Sequence, residues 1–394
     1  MTVLAQTANR ELRLTEGGPT YRIEKRLGLI RENSPRLIRR ALLSICFTWL
    51  VLLVLSAVQG FATGQRVPMP FLHDFAVHTR FLLAVPLLLM AETVLGPHLA
   101  HAASHFVTSG LVVEQDFASF DAAVAKGLRG RDSTVAEIIF VVLAYAITAI
   151  GVTSTAVHVS TWSALRSSSG ASYTWAGWWL VLFCIPLFHF LTLRWLWRLF
   201  LWGQFLGRMN KLKLQVVPTH PDQAAGLAFV GEAERFFAVI LFAYSCTIAG
   251  VLANEVVYDK VPLPHFAGAI AAYVIIAVLF ILIPLTVFAP TLIATKLAGL
   301  SKYGTLATEY TRSFHQKWIV GPRNPDEVLL GTGDIQSLAD LGNSFSMIEK
   351  MNPLPMGPRT PIHLALACLL PMAPLLLTVM PLKDILKLLF KVVA

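Results

Sequence analysis

The sequence predicts an all-α fold, a polytopic transmembrane helical bundle of about seven spans with cytoplasmic helical connections. Its composition is the first reason: of 394 residues, 55% are hydrophobic and 14% are charged. Its pattern is the second, because seven apolar runs recur along the chain and residues 41–55 hold no charge at all. A helix rises about 1.5 Å per residue, so about 20 apolar residues cross a hydrocarbon layer of about 30 Å. In lipid, such a helix satisfies its own backbone polar groups.

Residues 1–40 form a basic segment that precedes the first apolar run. They carry nine Lys or Arg, and they lack the apolar core of a cleavable signal peptide. We therefore expect a cytoplasmic N-terminal segment, followed by a first span that stays in the membrane.

Residues 41–295 are predicted to form one membrane domain of six spans. The spans are expected at 41–60, 76–96, 136–158, 176–203, 236–257 and 268–295. The positive-inside rule orients them, because the connections 97–135, 204–235 and 296–362 carry three, four and seven Lys or Arg and the alternate connections carry few. The N-terminus is therefore expected in the cytoplasm. Most basic residues lie in the connections, which favours lipid headgroups as partners, and no nucleic acid is expected.

Residues 296–362 are predicted to be a cytoplasmic helical connection. From Asp334 onwards, apolar residues recur at helical spacing, and Asp334 is a suitable N-cap for this helix. A single apolar stripe needs a partner surface, so the helix is expected to pack on a neighbour.

Residues 363–394 hold the seventh run and an amphipathic tail. The run at 363–381 contains three prolines, so two arrangements stay open: a seventh crossing, which we favour, or a re-entrant segment. Lys383, Lys387 and Lys391 repeat every four residues and line one helical face, which is typical of a helix in the membrane interface.

Two short patches, PTHPDQAAGL at 218–227 and DIQSLADL at 334–341, resemble a group of bacterial multi-pass inner-membrane proteins with no known activity. The resemblance implies a bacterial inner membrane. It brings no activity and no functional residue.

Prolines interrupt three of the predicted spans. Pro86, Pro186 and Pro284 each fall near the middle of a span. Proline removes a helical hydrogen bond and clashes with the carbonyl four residues back, so these helices are expected to be kinked or locally opened. Such helices often surround substrate paths. The alternative is that proline is simply common in membrane helices.

Charged residues inside the spans are the second group of pathway candidates. Glu92 lies in the second span, and Arg194 and Arg198 share one face of the fourth. Charges in the membrane usually face the bundle interior or a water-filled cavity, and an ion pair between Glu92 and Arg194 fits their depths. The alternative is that the arginines snorkel to the interface beside Trp195, Trp197 and Trp202.

Three histidines follow the second span at helical spacing. His98, His101 and His105 share one face, which is the pattern that presents imidazoles to one metal ion. The alternative is a solvated or packed face. No further ligand is evident beyond guesses such as His220 or Asp222, and no other cofactor is expected.

These observations predict a homo-oligomeric channel or transporter for an ion, an anion being favoured, or for a small solute. One alternative is a non-transporting membrane anchor or sensor that recruits a cytoplasmic partner. Another is a membrane metalloprotein that uses the three-histidine face. Nucleophile motifs such as GxSxG and metalloprotease motifs such as HExxH are missing from the sequence, so catalysis finds little support.

Overall fold

The computed structural model describes residues 11–31, 34–35, 37–64, 66–154, 160–167, 170–322 and 333–378. Its helices are α1 (Pro19–Arg26), α2 (Leu37–Val58), α3 (Phe75–Thr108), α4 (Phe117–Arg131), α5 (Thr134–Ser154), α6 (Trp175–Met209), α7 (Ala228–Val257), α8 (Leu263–Val320), α9 (Gly333–Glu349) and α10 (Arg359–Thr378). Two short antiparallel pairs join β1 (Ile30–Arg31) to β2 (Ser34–Pro35) and β3 (Ala164–Ser167) to β4 (Gly170–Tyr173).

Seven of these helices are long and apolar enough to cross a membrane: α2, α3, α5, α6, α7, α8 and α10. The predicted fold class, a polytopic helical bundle of about seven spans, is confirmed. The chain is a multi-pass membrane protein. Several helices are longer than the predicted spans, because a helix need not end where the lipid ends.

The three mid-span prolines coincide with local changes of helix type. Pro86 follows a π-helical stretch at Thr79–Ala84, and Pro186 follows another at Leu180–Cys184. Pro284 lies in a 3₁₀ stretch of α8. The missing N–H and the ring of each proline disfavour a regular α-helical turn, and a π or 3₁₀ turn relieves the conflict.

Helix α8 is too long to lie in lipid over its whole length. Its 58 residues correspond to roughly 87 Å at 1.5 Å per residue, against a hydrocarbon layer of about 30 Å. It continues past residue 295, where the membrane domain was predicted to end, and α9 packs on the projecting part. We call residues 296–320 of α8 together with α9 the two-helix arm.

Helix α9 confirms the helix predicted from Asp334, with a different role for that residue. The helix begins at Gly333, and the Asp334 carboxylate accepts hydrogen bonds from Lys317 Nζ at 2.8 Å and Trp318 Nε1 at 2.9 Å. Asp334 therefore joins α9 to the end of α8 rather than capping α9. Ile348, at the other end of the apolar stripe, is buried against Gly299 of α8.

Helix α10 runs beside α7 from end to end. At one end Thr360 Oγ1 donates to the Gly231 carbonyl at 3.3 Å. At the other end Met372 packs with Ala249 and Leu263 in a small buried cluster. A helix that follows a spanning neighbour over its length has the geometry of a crossing rather than of a re-entrant segment. The predicted tail with Lys383, Lys387 and Lys391 lies outside the described residues.

The bundle has two ends that differ in what covers them. The N-terminal face is the end where α1, α4 and residues 210–227 lie. The opposite face is the end covered by residues 59–74 and by the β3–β4 pair.

Residues 11–18, here called the N-terminal strap, are packed into the N-terminal face. Leu12 is fully buried and lies against Gly127 of α4. Thr15 is buried against Gly96 of α3, so close that a Cβ at Gly96 would overlap Thr15 Oγ1. Glycine at both positions is what lets the strap approach the helices.

Candidate functional site: a buried arginine cluster

Glu92 of α3 is the centre of a buried ion-pair network. Its side chain is 7% exposed and meets three guanidinium groups. Arg40 Nη2 lies 2.6 Å from Oε2, and Arg198 Nη2 lies 2.7 Å from Oε1. Arg194 Nη2 lies 3.4 Å from Oε1. The two shorter contacts are charge-assisted hydrogen bonds, the strong class of such bonds.

The local folding of three helices explains this convergence. Arg194 and Arg198 are four residues apart on α6 and therefore project from one face. Arg40 lies in the first turn of α2, which packs on α3 near Glu92. Both arginines of α6 are buried, and Arg198 also lies over the Trp195 ring at 4.5 Å. This is the geometry of charges that face the bundle interior rather than of charges that snorkel.

Sequence reasoning singled out Glu92, Arg194 and Arg198, and the structure brings these three together. It missed Arg40, because Arg39 and Arg40 together look like ordinary basic residues flanking a first span. The structure separates them: Arg39 is exposed and Arg40 is buried. The depth of the two residues in the membrane could have identified Arg40. It lies at the start of the first span, on the side of the membrane towards which Glu92 lies in the second span.

Glu24 of α1 adds a second carboxylate to the network. Its Oε2 lies 2.8 Å from Arg40 Nη2. Burial raises the pKa of Glu24 above its usual value, and the negative charge of Glu92 raises it further, while Arg40 acts in the opposite direction. We call Arg40, Arg194, Arg198, Glu92 and Glu24 the arginine cluster. It consists of three guanidinium groups and two carboxylates.

A small cavity adjoins the cluster on its N-terminal side. It measures about 20 Å³, which is room for about one water molecule. Its polar lining consists of Arg194, Arg198, Arg131, Ser133 and Glu137, with Leu14 and Gly17 contributed by the strap. Arg194 Nη1 is buried and has no hydrogen-bond partner among the described residues. The strap is thus part of the wall of a polar cavity that contains an unused guanidinium donor.

This arrangement is suited to binding an anion. A buried guanidinium with an unfilled donor carries a desolvation cost that no protein group offsets. The Glu137 carboxylate, which also lines the cavity, accepts from the Thr20 N–H at 2.9 Å and from Thr20 Oγ1 at 2.7 Å, so the attraction for an anion comes from the unfilled Arg194 donor. Arg131, across the cavity, is held by Asp132 at 2.7 Å and by the carbonyl of Arg13 in the strap at 2.7 Å.

The three prolines lie elsewhere in the bundle. Pro86, Pro186 and Pro284 are all buried, and Pro284 packs against Gly203 of α6. None of the three is among the described residues that line the arginine cavity. They shape the helices that carry the cluster, and their predicted role as pathway-lining residues remains a prediction.

The three histidines do not converge. The His98 ring stacks on Phe236 at 3.4 Å, and its Nδ1 lies 2.7 Å from the Val94 carbonyl oxygen. His101 is exposed, and its ring centre lies 6.0 Å from that of His105. Within the described ranges no group of three or more His, Cys, Asp or Glu side chains could hold a metal ion. The predicted three-histidine metal site is therefore not assembled, because each ring has its own neighbour.

His105 instead lines a second cavity, of about 340 Å³, together with His220 and Asp222. These two residues belong to the loop at 218–227. Asp222 accepts backbone N–H groups from Ala224, Gly226 and Ala228 at 2.9, 3.1 and 3.0 Å. Ala228 is the first residue of α7, so Asp222 satisfies that helix end from six residues upstream.

The Asp222 carboxylate is stabilised by this loop. Burial acts to raise its pKa, but the three backbone donors and His220, 2.8 Å away, outweigh burial and leave the pKa below its usual value. Asp222 thereby serves as the organising centre of the loop and has little capacity left for a ligand.

Comparison of the chain with protein-family models, with curated proteins and with solved structures found no match in any of the three.

Proposed function

We propose that this protein is a membrane transport protein for a small anion and that the arginine cluster is its anion-binding site at the N-terminal face. The observation that carries the proposal is the unfilled Arg194 Nη1 donor, which is buried in a polar cavity among guanidinium groups. An anion at that point would supply the missing acceptor.

The described conformation fits a closed state of such a protein. The cavity holds about one water molecule's volume, and Leu14 and Gly17 of the strap form part of its wall. Glu92 occupies the acceptor position of two arginines and acts as their resident counter-ion. Access from the N-terminal face would require the strap to move.

Anion flux into liposomes tests the proposal. We expect purified protein to carry chloride, nitrate or small carboxylates but not K⁺. Gly96→Ala should raise the flux, because the added methyl group overlaps Thr15 and displaces the strap. Arg194→Gln should lower it by about tenfold or more, the effect of one lost bond to a charged group.

The matched control for that experiment is Arg312→Gln, since Arg312 is an exposed arginine of the two-helix arm. Its flux should equal that of the unaltered protein. Absence of anion flux from both the unaltered protein and Gly96→Ala would rule the proposal out.

The charge distribution supports an orientation with the N-terminal face in the cytoplasm of a bacterial cell. An impermeant amine reagent applied to intact spheroplasts should then leave the lysines of the N-terminal face, such as Lys25, unlabelled. A homo-oligomer is the assembly we propose, and native mass measurement in detergent should give a multiple of 43.3 kDa.

The two-helix arm supports a second candidate function, recruitment of a soluble partner. Leu306, Ile319 and Ile335 are exposed on helices that project beyond the expected lipid layer. If the protein carries no flux but a stoichiometric partner co-purifies with it and is lost on Ile319→Asp, the anchor function replaces transport. Lys302→Ala, at another exposed arm position, should leave that partner bound.

A further inference from the structure

Helix α1 presents apolar and cationic side chains next to each other at the N-terminal face. Ile23 and Leu27 are four residues apart and therefore share one side of the helix, where they are 56% and 64% exposed. Arg22 and Arg26 have the same spacing and are exposed on the adjoining side, with Lys25 exposed beyond them. The outer side of α1 is therefore amphipathic.

The first turn of α2 continues this surface. Ile38 is 77% exposed and Arg39 is exposed, whereas Arg40 is buried and lies 2.8 Å from Glu24 of α1. The 22 residues of α2 correspond to roughly 33 Å, close to the hydrocarbon thickness of about 30 Å, so its first turn lies at the depth of the headgroups. The contact between Arg40 and Glu24 holds α1 near the same depth. We call Arg22, Ile23, Arg26, Leu27, Ile38 and Arg39 the α1 surface.

The acids near the α1 surface have partners of their own. Asp132 is close enough to Arg22 to interact with it electrostatically, but it is held by Arg131 Nε and Nη2 at 2.9 and 2.7 Å. The two acids of the strap pair with Arg13. Within the part of the chain that the structure describes, no ion pair involves the three arginines of the α1 surface. These cations are available to an external anionic group.

An anionic phospholipid matches the α1 surface better than a soluble anion does. Guanidinium groups form paired hydrogen bonds with phosphate oxygens. Helices with basic and apolar sides lie in the membrane interface, where the apolar side chains reach the boundary of the acyl chains and the cations meet anionic headgroups. A soluble anion would use the three arginines but would leave Ile23, Leu27 and Ile38 in contact with water.

Helix α1 follows the N-terminal strap directly, and both are bonded to the same face of the bundle. The Gly18 N–H donates to Asp132 Oδ1 at 2.8 Å, and the Thr20 N–H donates to Glu137 Oε2 at 2.9 Å. Since only one residue separates these two bonds, α1 cannot leave the bundle without straining the bond that ends the strap. A ligand that binds α1 only in this docked position therefore stabilises the docked strap as well.

We propose that the α1 surface binds the phosphate headgroup of an anionic phospholipid and that the bound lipid holds the N-terminal strap against the bundle. The three arginines bind the headgroup, and the three apolar side chains contact its acyl chains. The inference goes beyond the proposed anion transport and does not depend on it, because the ligand is a membrane lipid and the part that responds is the strap.

Lipid binding to the purified full chain in detergent tests the site, with native mass measurement as the readout. Phosphatidylglycerol should bind more tightly than phosphatidylcholine. Replacing both Arg22 and Arg26 by Gln should weaken phosphatidylglycerol binding by about thirtyfold, since each cation near an anionic surface contributes about fivefold. The matched control replaces Arg129 and Arg312 by Gln, because both are exposed arginines outside the α1 surface and the net charge changes equally. The control should bind the lipid as the unaltered protein does.

Hydrogen exchange of the strap tests the second part of the proposal. Because the lipid binds only docked α1, exchange of the backbone N–H groups of residues 12–18 should slow by the factor 1 + [L]/Kd, which is about elevenfold at a lipid concentration of about ten times Kd. At that concentration the Arg22 and Arg26 double variant should show almost no slowing. Inorganic phosphate should not replace the lipid, because it has no acyl chains for the apolar side chains to contact.

The outcomes separate the two parts of the proposal from each other and from anion transport. Equal binding of the two lipids, or undiminished phosphatidylglycerol binding by the Arg22 and Arg26 double variant, overturns the lipid site. Equal loss of binding in the control shows attraction by net charge alone and overturns it too, as does equal protection by inorganic phosphate. Lipid binding without slower exchange in the strap overturns the link to the strap. Each measurement is made without anion flux, so the failure of either proposal leaves the other standing.

Discussion

Asp74 and Glu92 are two buried carboxylates on α3, Asp74 as the cap at the start of the helix and Glu92 near its middle, and they have different kinds of partner. Asp74, at the opposite face, accepts from Trp162 Nε1 at 2.9 Å and from Asn254 Nδ2 at 2.8 Å. It also accepts the Val77 backbone N–H at 3.3 Å, which caps the start of α3. All three donors are neutral. The donors to Glu92 are guanidinium groups.

Because of this difference, we assign Asp74 a structural role and propose that Glu92 belongs to a binding site. Neutral donors around Asp74 connect α3 to α7 and to the connection that carries Trp162. Among the described residues, Arg80 Nε and Arg194 Nη1 are both buried without a hydrogen-bond partner. What distinguishes Glu92 is that its direct partners are guanidinium groups. A buried ion pair is weak evidence for stability by itself, so we propose that the cations at Glu92 serve a ligand.

The largest effect is expected from Glu92→Gln. Removing the negative charge of Glu92 leaves the positive charges of the buried guanidinium groups without a counter-ion. Breaking a buried ion pair in this way lowers the free energy of unfolding by about 3–5 kcal/mol. Thermal unfolding in detergent measures the loss. Added chloride or sulfate should restore more stability to the variant than to the unaltered protein, because the anion takes the place of the carboxylate. A variant as stable as the unaltered protein would contradict the comparison.

Asp74→Asn should be milder and should not respond to anions. The new amide group turns a donor towards Trp162 or Asn254, which leaves one buried donor unmatched at a cost of about 1–3 kcal/mol. The same unfolding measurement checks it. Rescue of Asp74→Asn by chloride would show that the surroundings of Asp74 and of Glu92 do not differ as we describe.

The sequence predicted the spans and three of the five cluster residues for one physical reason. Apolar runs and charges inside them are local features, so the seven spanning helices and the charges Glu92, Arg194 and Arg198 could be found in the chain. The mid-span prolines likewise predicted the irregular turns of three helices.

What the sequence could not supply was contact between distant segments. Arg40 looked like a charge that flanks the first span. Leu12 and Leu14 lie in a short basic segment without periodicity, so nothing marked the strap as buried. Each of these residues takes its role from tertiary packing.

Asp222 is a third carboxylate for this comparison. It lies in the 218–227 loop, and its hydrogen-bond donors are backbone N–H groups. The substitution Asp222→Asn tests what these bonds contribute. The pKa of Asp222 is lowered in the folded protein, so its stabilisation is present above the unfolded pKa of about 3.9 and is lost as pH falls through the folded pKa. We expect a loss of about 1–2 kcal/mol at neutral pH that disappears in acid. Unfolding curves across that range measure it, and an effect independent of pH would contradict the stated cause.

The smallest change in stability is expected from Arg194→Gln. Its contact with Glu92 is long, 3.4 Å, and Glu92 keeps two shorter partners, so the unfolding free energy should change by less than about 1 kcal/mol. Yet the variant should lose the stabilisation by chloride or sulfate that the unaltered protein shows, because the unfilled donor is gone.

Arg198→Gln, which removes a 2.7 Å contact, should instead lower the free energy of unfolding by several kcal/mol. If Arg194→Gln proves as destabilising as Arg198→Gln, then Arg194 has a structural role, and the distinction between the Asp74 and Glu92 sites fails at the residue on which anion binding depends.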